Sequence, residues 1–556
     1  RMSFSILAIL FLALITTFYF VYGRWLSKLL KLDIHAKTPA HEKRDGIDYE
    51  PATPFYLFAQ HFSAIAAAGP IAGPILAVQM YGWVPAVLWI SLGVVLIGAV
   101  HDFTSLAVSV KHGGASIAQI AKDNLGPKSG FAIMIFIWLA LVYIIVAFSD
   151  ITVGSFISGT EELMAGGQQT FKPGGAVASA SVFYLLLSII LGLLNKKFKT
   201  PDWVAMVVFV PLAIGCAWLG TYTSDWFDLG YKTWALIIIL YCGISSVLPV
   251  WFLLQPRGFL GGFLLYIVLI LGVIGIFFGD YSIQQPAFKE AAAGASGSMF
   301  PFLFVTIACG ACSGFHGIVC SGTTSKQIDK ETHCHPIGYG AMLAEGFVAL
   351  IAVVIVMMMS QESTAGLKPG VIYGRGIGEF LTLLIGAENK TFAITFGAMV
   401  FSTFVFDTLD VATRLARYLI QELTGWKGFM GYGVGTVITC LMALAFLMQM
   451  KEGSWAAFWT LFGASNQLLA ALTLLSITFW LRKSKRPILF TLIPMFFVLV
   501  ITMWALGLIA ITNWQKAQGF DFAMMNSLGS SALVILAIYI CIQALFKVLL
   551  EKRVSA

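Results

Sequence analysis

The chain has 556 residues, of which 59% are hydrophobic and only 11% charged, against about 25% charged in a soluble domain. So few charged side chains cannot clothe a water-facing surface, which excludes a cytosolic enzyme, a nucleic-acid binder and a disordered chain. The formal net charge of +7 then bears on orientation in a bilayer rather than on an acidic partner, and the fold class expected is an all-α polytopic membrane protein.

A transmembrane helix needs about 20 mostly apolar residues, and fifteen segments qualify. In chain order they are Phe4–Tyr22, Phe55–Met80, Val84–Val110, Phe131–Ile151, Ala178–Leu194, Trp203–Leu219, Trp234–Phe252, Phe259–Phe278, Phe300–Ser321, Ile337–Met359, Phe392–Thr413, Met430–Met448, Ser454–Leu481, Pro487–Ile511 and Ala532–Leu549. The first reads as a retained helix, because Gly23-Arg24-Trp25 stands where a signal peptide needs small residues for cleavage. With the N-terminus outside, 25 of the 34 Lys and Arg residues fall on inner loops, which predicts a cytoplasmic C-terminus. Those basic loops read as contacts to anionic lipid. Gly374–Ile385 is too short to span and reads as a surface or re-entrant helix. The eight cysteines are sparse and mostly within apolar runs, so no disulfide framework is implied.

Two spans carry helix-breaking runs. The second contains Gly69, Pro70, Gly73 and Pro74, where prolines remove amide donors and glycines permit unwinding. The ninth contains Cys309, Gly310, Ser313 and Gly314, with His316 just beyond. Irregular backbone at membrane depth survives only inside protein or beside a cavity. The two runs lie seven spans apart, so they cross the bilayer in opposite directions, as an inverted repeat requires. The expected organisation is an N-terminal helix and basic loop (1–54), a first five-helix repeat (55–220), an inserted helix pair (221–299), a second five-helix repeat (300–481) and two C-terminal helices (482–556).

Ionisable groups inside spans are costly and mark cavities or ion routes. Thr403, Asp407, Asp410 and Arg414 share one stripe of the eleventh span. Asp410 is expected to pair with Arg414 one turn away, leaving Asp407 with Thr403 and Thr408 as oxygen ligands for Na⁺ or as a proton-carrying group. Glu345 lies about 12 Å into the tenth span at 1.5 Å per residue and is a second proton-carrier candidate. His61, two turns before the first break, is another coupling candidate, although His61, Asp102 and Asp150 are near enough to helix ends for snorkelling or capping to explain them. Cys309, Cys312, His316 and Cys320 form one stripe of metal-ligating types. A metal centre there is the less favoured reading, because one straight helix cannot wrap four ligands around an ion. No Gly-Lys dipeptide occurs, so the nucleotide-binding loop of a primary pump is missing, and no cofactor is expected.

The runs His41–Pro51, Gln60–Gln79, Ile307–Thr324, Phe406–Asp410 and Leu461–Leu472 together resemble the carbon starvation protein A family. That resemblance implies a prokaryotic inner-membrane nutrient transporter of the amino acid, polyamine and organocation superfamily, with a five-plus-five inverted-repeat core. It implies a substrate that is a peptide taken up during carbon starvation, with proton-coupled pyruvate uptake as the alternative. His101 before Asp102, and Cys312, Cys320, Cys334 and His335, depart from the family pattern, and an additional N-terminal span of longer members is missing.

The mechanism expected is alternating access around a mid-membrane site lined by the two breaks, driven by H⁺ or Na⁺. Half-helix N-termini would attract a substrate carboxylate, and freed carbonyls would hold an amino group or cation. The expected partners are the small-molecule substrate, the lipid bilayer and a small accessory protein as a candidate. A channel would use the same polar stripe as a pore lining, and a metal-binding membrane enzyme or sensor would use the Cys and His stripe.

Overall fold

The computed structural model describes residues 3–44, 49–66, 68–157, 172–198, 201–249, 251–289, 298–426, 428, 430–450 and 455–554. Arg1, Lys199, Lys427 and Lys451 of the charge count, and residues 45–48 of the His41–Pro51 run, lie outside them.

A chain in lipid must satisfy every backbone N–H and C=O internally, which a helix does within one segment. Among the described residues there is accordingly no strand, only an isolated bridge between Ala52 and Ile328. Within the described residues, thirteen helices are long and apolar enough to cross a membrane, against fifteen expected spans. The difference lies at two places. Tyr231–Val247 is a helix of 17 residues, and the ninth span is divided into Met299–Thr306 and Gly314–Gly322. Gly374–Ile385 belongs to a longer helix, Pro369–Ile385, which packs against the start of Lys390–Thr424.

Burial separates a centre from a lipid-facing rim. The apolar windows of Leu57–Tyr81 and Phe458–Lys483 are 94% buried, whereas that of Phe522–Leu549 is 22% buried. At the rim, Leu88, Leu92 and Leu96 recur every fourth residue and are exposed, as a face turned to acyl chains requires.

The helices that carry the site are α1 (Pro54–Ile65), α2 (Gly69–Tyr81), α3 (Ala99–Lys111), α4 (Pro127–Phe156), α5 (Pro173–Phe198), α6 (Tyr231–Val247), α7 (Leu254–Phe278), α8 (Met299–Thr306), α9 (Gly314–Gly322), α10 (Ala341–Met357), α11 (Lys390–Thr424) and α12 (Trp455–Lys483). The interruption of the second span falls earlier than Gly69–Pro74. Helix α1 ends at Ile65, Ala66 has left the helical region with ψ 40°, and α2 already resumes at Gly69. The reason is that Pro70 occupies the first turn of α2, where its missing donor costs nothing, and Pro74 withdraws only a single bond inside the helix. The second interruption falls where the sequence places it. Ile307 leaves the helix with φ −101° and ψ 67°, and α9 starts at Gly314. Single π turns at Val94–Gly98 and His335–Gly340 lead into α3 and α10, a deviation that recurs at functional sites.

Candidate functional site

The opening turns of α2, just past the first break, touch the second break. A methyl group on Gly69 would lie 2.4 Å from Cys309 Sγ, and one on Gly73 would lie 2.5 Å from the Thr306 carbonyl oxygen. A methyl on Gly310 would sit 3.5 Å from the Pro70 Cα. The glycines therefore allow α2 to lie against the irregular segment between α8 and α9 at backbone distance.

Side chains hold that segment at both ends. The Trp89 indole donates to the Ile307 carbonyl at 3.1 Å, the Trp459 indole to the Thr306 carbonyl at 3.1 Å and the Gln467 amide to the Phe304 carbonyl at 2.7 Å. At the other end, Asn466 Oδ1 accepts the Phe315 N–H at 2.9 Å, while its Nδ2 donates to Ser313 Oγ at 2.9 Å and Cys309 Sγ at 3.3 Å. The carbonyls that lead into the break and one N–H of the first turn of α9 are thus held by protein groups, as backbone in a buried segment requires.

Beside the break lies a cluster of ionisable side chains. His101 Nδ1 is 2.7 Å from Asp102 Oδ1, His316 Nδ1 is 2.8 Å from Asp102 Oδ2, and His316 Nε2 is 3.4 Å from Glu345 Oε2. The four side chains are buried, and both Glu345 oxygens lack a hydrogen bond. Asp102 thus sits at the centre of the cluster rather than capping a helix end. His61 joins α1 to the chain beyond α9, its Nδ1 2.9 Å from Thr324 Oγ1 and its Nε2 4.0 Å from Cys320 Sγ. Two carboxylates with no Lys or Arg contact are tolerated in such a place only when protons on the imidazoles or carboxyls offset their charge.

A second network lies on α11. Asp410 does not pair with Arg414. It pairs with Arg257 of α7, whose Nη1 is 2.9 Å from Asp410 Oδ2, and it also accepts hydrogen bonds from Tyr241 at 2.8 Å and Ser245 at 2.7 Å. Arg414 instead donates to the carbonyls of Ser245 and Leu248 at 2.8 and 2.7 Å. Those are end-of-helix carbonyls of α6, which have no partner within their helix and so attract a cation. Arg257 Nε lies 3.3 Å from Asp407 Oδ1, and Asp407 Oδ2 has no hydrogen-bond partner. A methyl on Gly261 would lie 2.6 Å from Asp407 Oδ2 and 3.4 Å from Ser63 Oγ, so α1 and α11 meet across this glycine. Thr403 and Thr408 donate to carbonyls of their own helix, those of Met399 at 2.9 Å and Phe404 at 3.4 Å.

The cysteine stripe is dispersed: Cys309 faces Asn466, Cys320 faces His61, and Cys312 is buried in the apolar core. Among the described residues no three His, Cys, Asp or Glu side chains form a metal-binding group. Residues that the sequence alone does not single out are Arg257, Tyr241 and Ser245, which belong to the inserted helices, and the donors Trp89, Trp459, Asn466 and Gln467. The Asn466-Gln467 pair inside an apolar run was the available signal.

The family described as "Carbon starvation protein CstA" matches this chain over residues 3–375 and 368–505. The chain belongs to the carbon starvation protein CstA family. Every residue of both networks lies within that match. The protein named peptide transporter CstA of Bacillus subtilis is 31% identical, over 95% of this chain and 94% of its own. The one named peptide transporter CstA of Campylobacter jejuni is 33% identical, over 87% and 77%. The pyruvate/proton symporter BtsT of Escherichia coli is 31% identical, over 89% and 80%. A solved manganese transporter mutant of Eremococcus coleocola aligns over 88% of this chain and 94% of its own with 10% identity and a TM-score of 0.46. This CstA-family chain is a multi-pass membrane transporter and not an enzyme.

Proposed function

We propose that the transporter imports a small carboxylated nutrient, a peptide in the first instance, by alternating access about the crossing of α2 with the break between α8 and α9. The observation that carries this reading is the contact of the opening turns of α2 with the second break, beside the buried His101, Asp102, His316 and Glu345 side chains. Segments 55–220 and 300–481 act as the two inverted halves, and the Lys and Arg distribution sets the N-terminus outside and the C-terminus in the cytoplasm of a prokaryotic inner membrane. The relatives' names support peptide uptake, and that of BtsT supports pyruvate with a proton as the second reading. Protons are favoured over Na⁺ as the coupling ion because a guanidinium 3.3 Å from Asp407 opposes a second cation there.

Uptake of labelled dialanine and of labelled pyruvate into proteoliposomes, each under an inward proton gradient and then an inward Na⁺ gradient, tests the proposal. Accumulation of dialanine driven by protons is the expected result; accumulation of pyruvate alone selects the second reading, and accumulation of neither overturns both. Glu345→Gln preserves the shape of the side chain but cannot release a proton. It is expected to lose proton-driven accumulation, and undiminished accumulation would remove the cluster from the coupling route.

A further inference from the structure

Arg257 lines one small cavity, and a second cavity opens beside neighbouring residues of α7 without including Arg257. A cavity of about 80 Å³ includes Arg257 in its lining, together with Tyr241 and Ser181, and runs toward Phe156 and Trp234, near the Tyr231 end of α6. A second cavity, of about 320 Å³, is lined by Gln255, Gly258 and Gly262 of α7, by Gln60 of α1 and by the exposed Phe55 and Trp203, and Arg257 is not part of its lining. The larger one is at the small end of ligand-pocket sizes. Arg257 itself is buried, as are Asp407 and Asp410.

The two aspartates are not equivalent partners. Asp410 is held by Arg257, Tyr241 and Ser245 at 2.7–2.9 Å. Asp407 has the longer 3.3 Å contact, and its Oδ2 is unpartnered beside Ser63. The other ionisable groups around the pair are Tyr184 of α5, which donates to the Arg257 carbonyl at 3.2 Å, Tyr241 and Cys242 of α6, Cys216 near Tyr184, and Arg414 on α11. Among these, Asp407 is the carboxylate with the least to lose by leaving Arg257.

We infer that Arg257 is a carboxylate-exchange site, at which the substrate carboxylate takes the place of Asp407 while Asp407 takes up one proton. The proposal rests on the proton-driven form of the transport reading above and assigns its coupling step. Without substrate, the buried site holds one guanidinium and two carboxylates. With substrate, it holds one guanidinium, Asp410, the substrate carboxylate and a neutral Asp407 acid. The net charge is minus one in both states, so one proton and one carboxylate enter together without changing the charge that must be desolvated. A carboxylate entering alone would add a second uncompensated negative charge, and a proton entering alone would leave Arg257 with one partner fewer. Loading by the carboxylate alone is therefore disfavoured, whereas the proton alone brings the site to zero net charge, so the proton precedes or accompanies the carboxylate and carboxylate entry depends on it. The guanidinium suits this exchange because its planar fork can hand one N–H edge from one carboxylate to another while the remaining edge stays on Asp410.

The test uses the full chain in proteoliposomes with labelled dialanine and labelled pyruvate, and with alanyl-alaninamide, which lacks the carboxylate, as a competitor. Arg257→Gln is expected to raise the half-saturating concentration of the transported probe about tenfold or more, the loss typical of a charged hydrogen bond. Asp407→Asn is expected to lose proton-driven accumulation together with the pH dependence of the half-saturating concentration, and alanyl-alaninamide is expected not to compete. Thermal unfolding of each variant separates these effects from misfolding; should Arg257→Gln fail to fold, Asp407→Asn and the competition on the unaltered protein decide the matter. Proton-driven accumulation by Asp407→Asn, or competition by the amide equal to that of dialanine, overturns the exchange site and leaves the transport reading standing. Failure of the unaltered protein to accumulate either probe under a proton gradient overturns both.

Discussion

Replacing Asp410 by alanine is expected to destabilise the folded chain by about 3–5 kcal/mol, the range for breaking a buried charge pair by removing one partner. Its carboxylate is the shared acceptor for Arg257, Tyr241 and Ser245, so truncation leaves three donors short of a partner in the interior of the bundle. Asp407→Ala should cost clearly less, because Asp407 offers Arg257 only the 3.3 Å contact and one of its oxygens is unpartnered. Thermal unfolding in detergent, with Asp410→Asn as an intermediate case, ranks the three. Equal or larger destabilisation by Asp407→Ala would mean that Arg257 is anchored through Asp407, contrary to the distances. The asymmetry also bears on function, since the same ranking sets which aspartate can leave Arg257 during a cycle.

Gly73→Val should abolish uptake and destabilise the protein by about 1–3 kcal/mol, the usual cost of overpacking. Its new Cβ would meet the Thr306 carbonyl oxygen at 2.5 Å, and a backbone atom already bonded to the Trp459 indole has little freedom to retreat. Gly69 offers a parallel. There the new methyl would meet Cys309 Sγ at 2.4 Å and the backbone-fixed Cys309 Cβ at 2.5 Å, so Gly69→Ala should be about as costly as Gly73→Ala. At Gly215 an added methyl group would meet nothing within 4 Å, and Gly215→Ala serves as the neutral control. Uptake together with the unfolding midpoint checks the series; a Gly73→Val variant that transports normally would show that α2 need not touch the second break for the cycle to run.

Much of this architecture was legible because a membrane span is a matter of composition over a fixed length, and the segments that reach that length stand out in an 11% charged chain. The second break was legible for a local reason as well, since Gly310, Ser313 and Gly314 crowd weak helix formers into a short run that Ala311 alone does not bridge. The first break was displaced because proline at the start of a helix is harmless, so Pro70 marks where α2 begins rather than where the helix fails. Arg257 reads as a loop cation because it lies one turn from a helix start, beside Gln255 and Pro256. Nothing local shows that it turns inward to carboxylates about 150 residues away. For Asp410, four-residue spacing points to Arg414; what spacing cannot reveal is that the end of α6 presents carbonyls that claim Arg414 first. Histidine and carboxylate residues of the central cluster were each visible, but their meeting depends on how α3, α9 and α10 pack, which no single helix encodes.

The three carbonyls at the second break are each held by a tryptophan or glutamine donor, and this has a consequence for binding. The irregular segment keeps its shape with no visitor present, because none of those oxygens waits for one. A molecule that docks on them must displace an indole or amide and gains only the difference between two similar hydrogen bonds. Those three oxygens therefore add little to holding a substrate, and the unpartnered buried oxygens of Asp407 and Glu345 are acceptors that stay open.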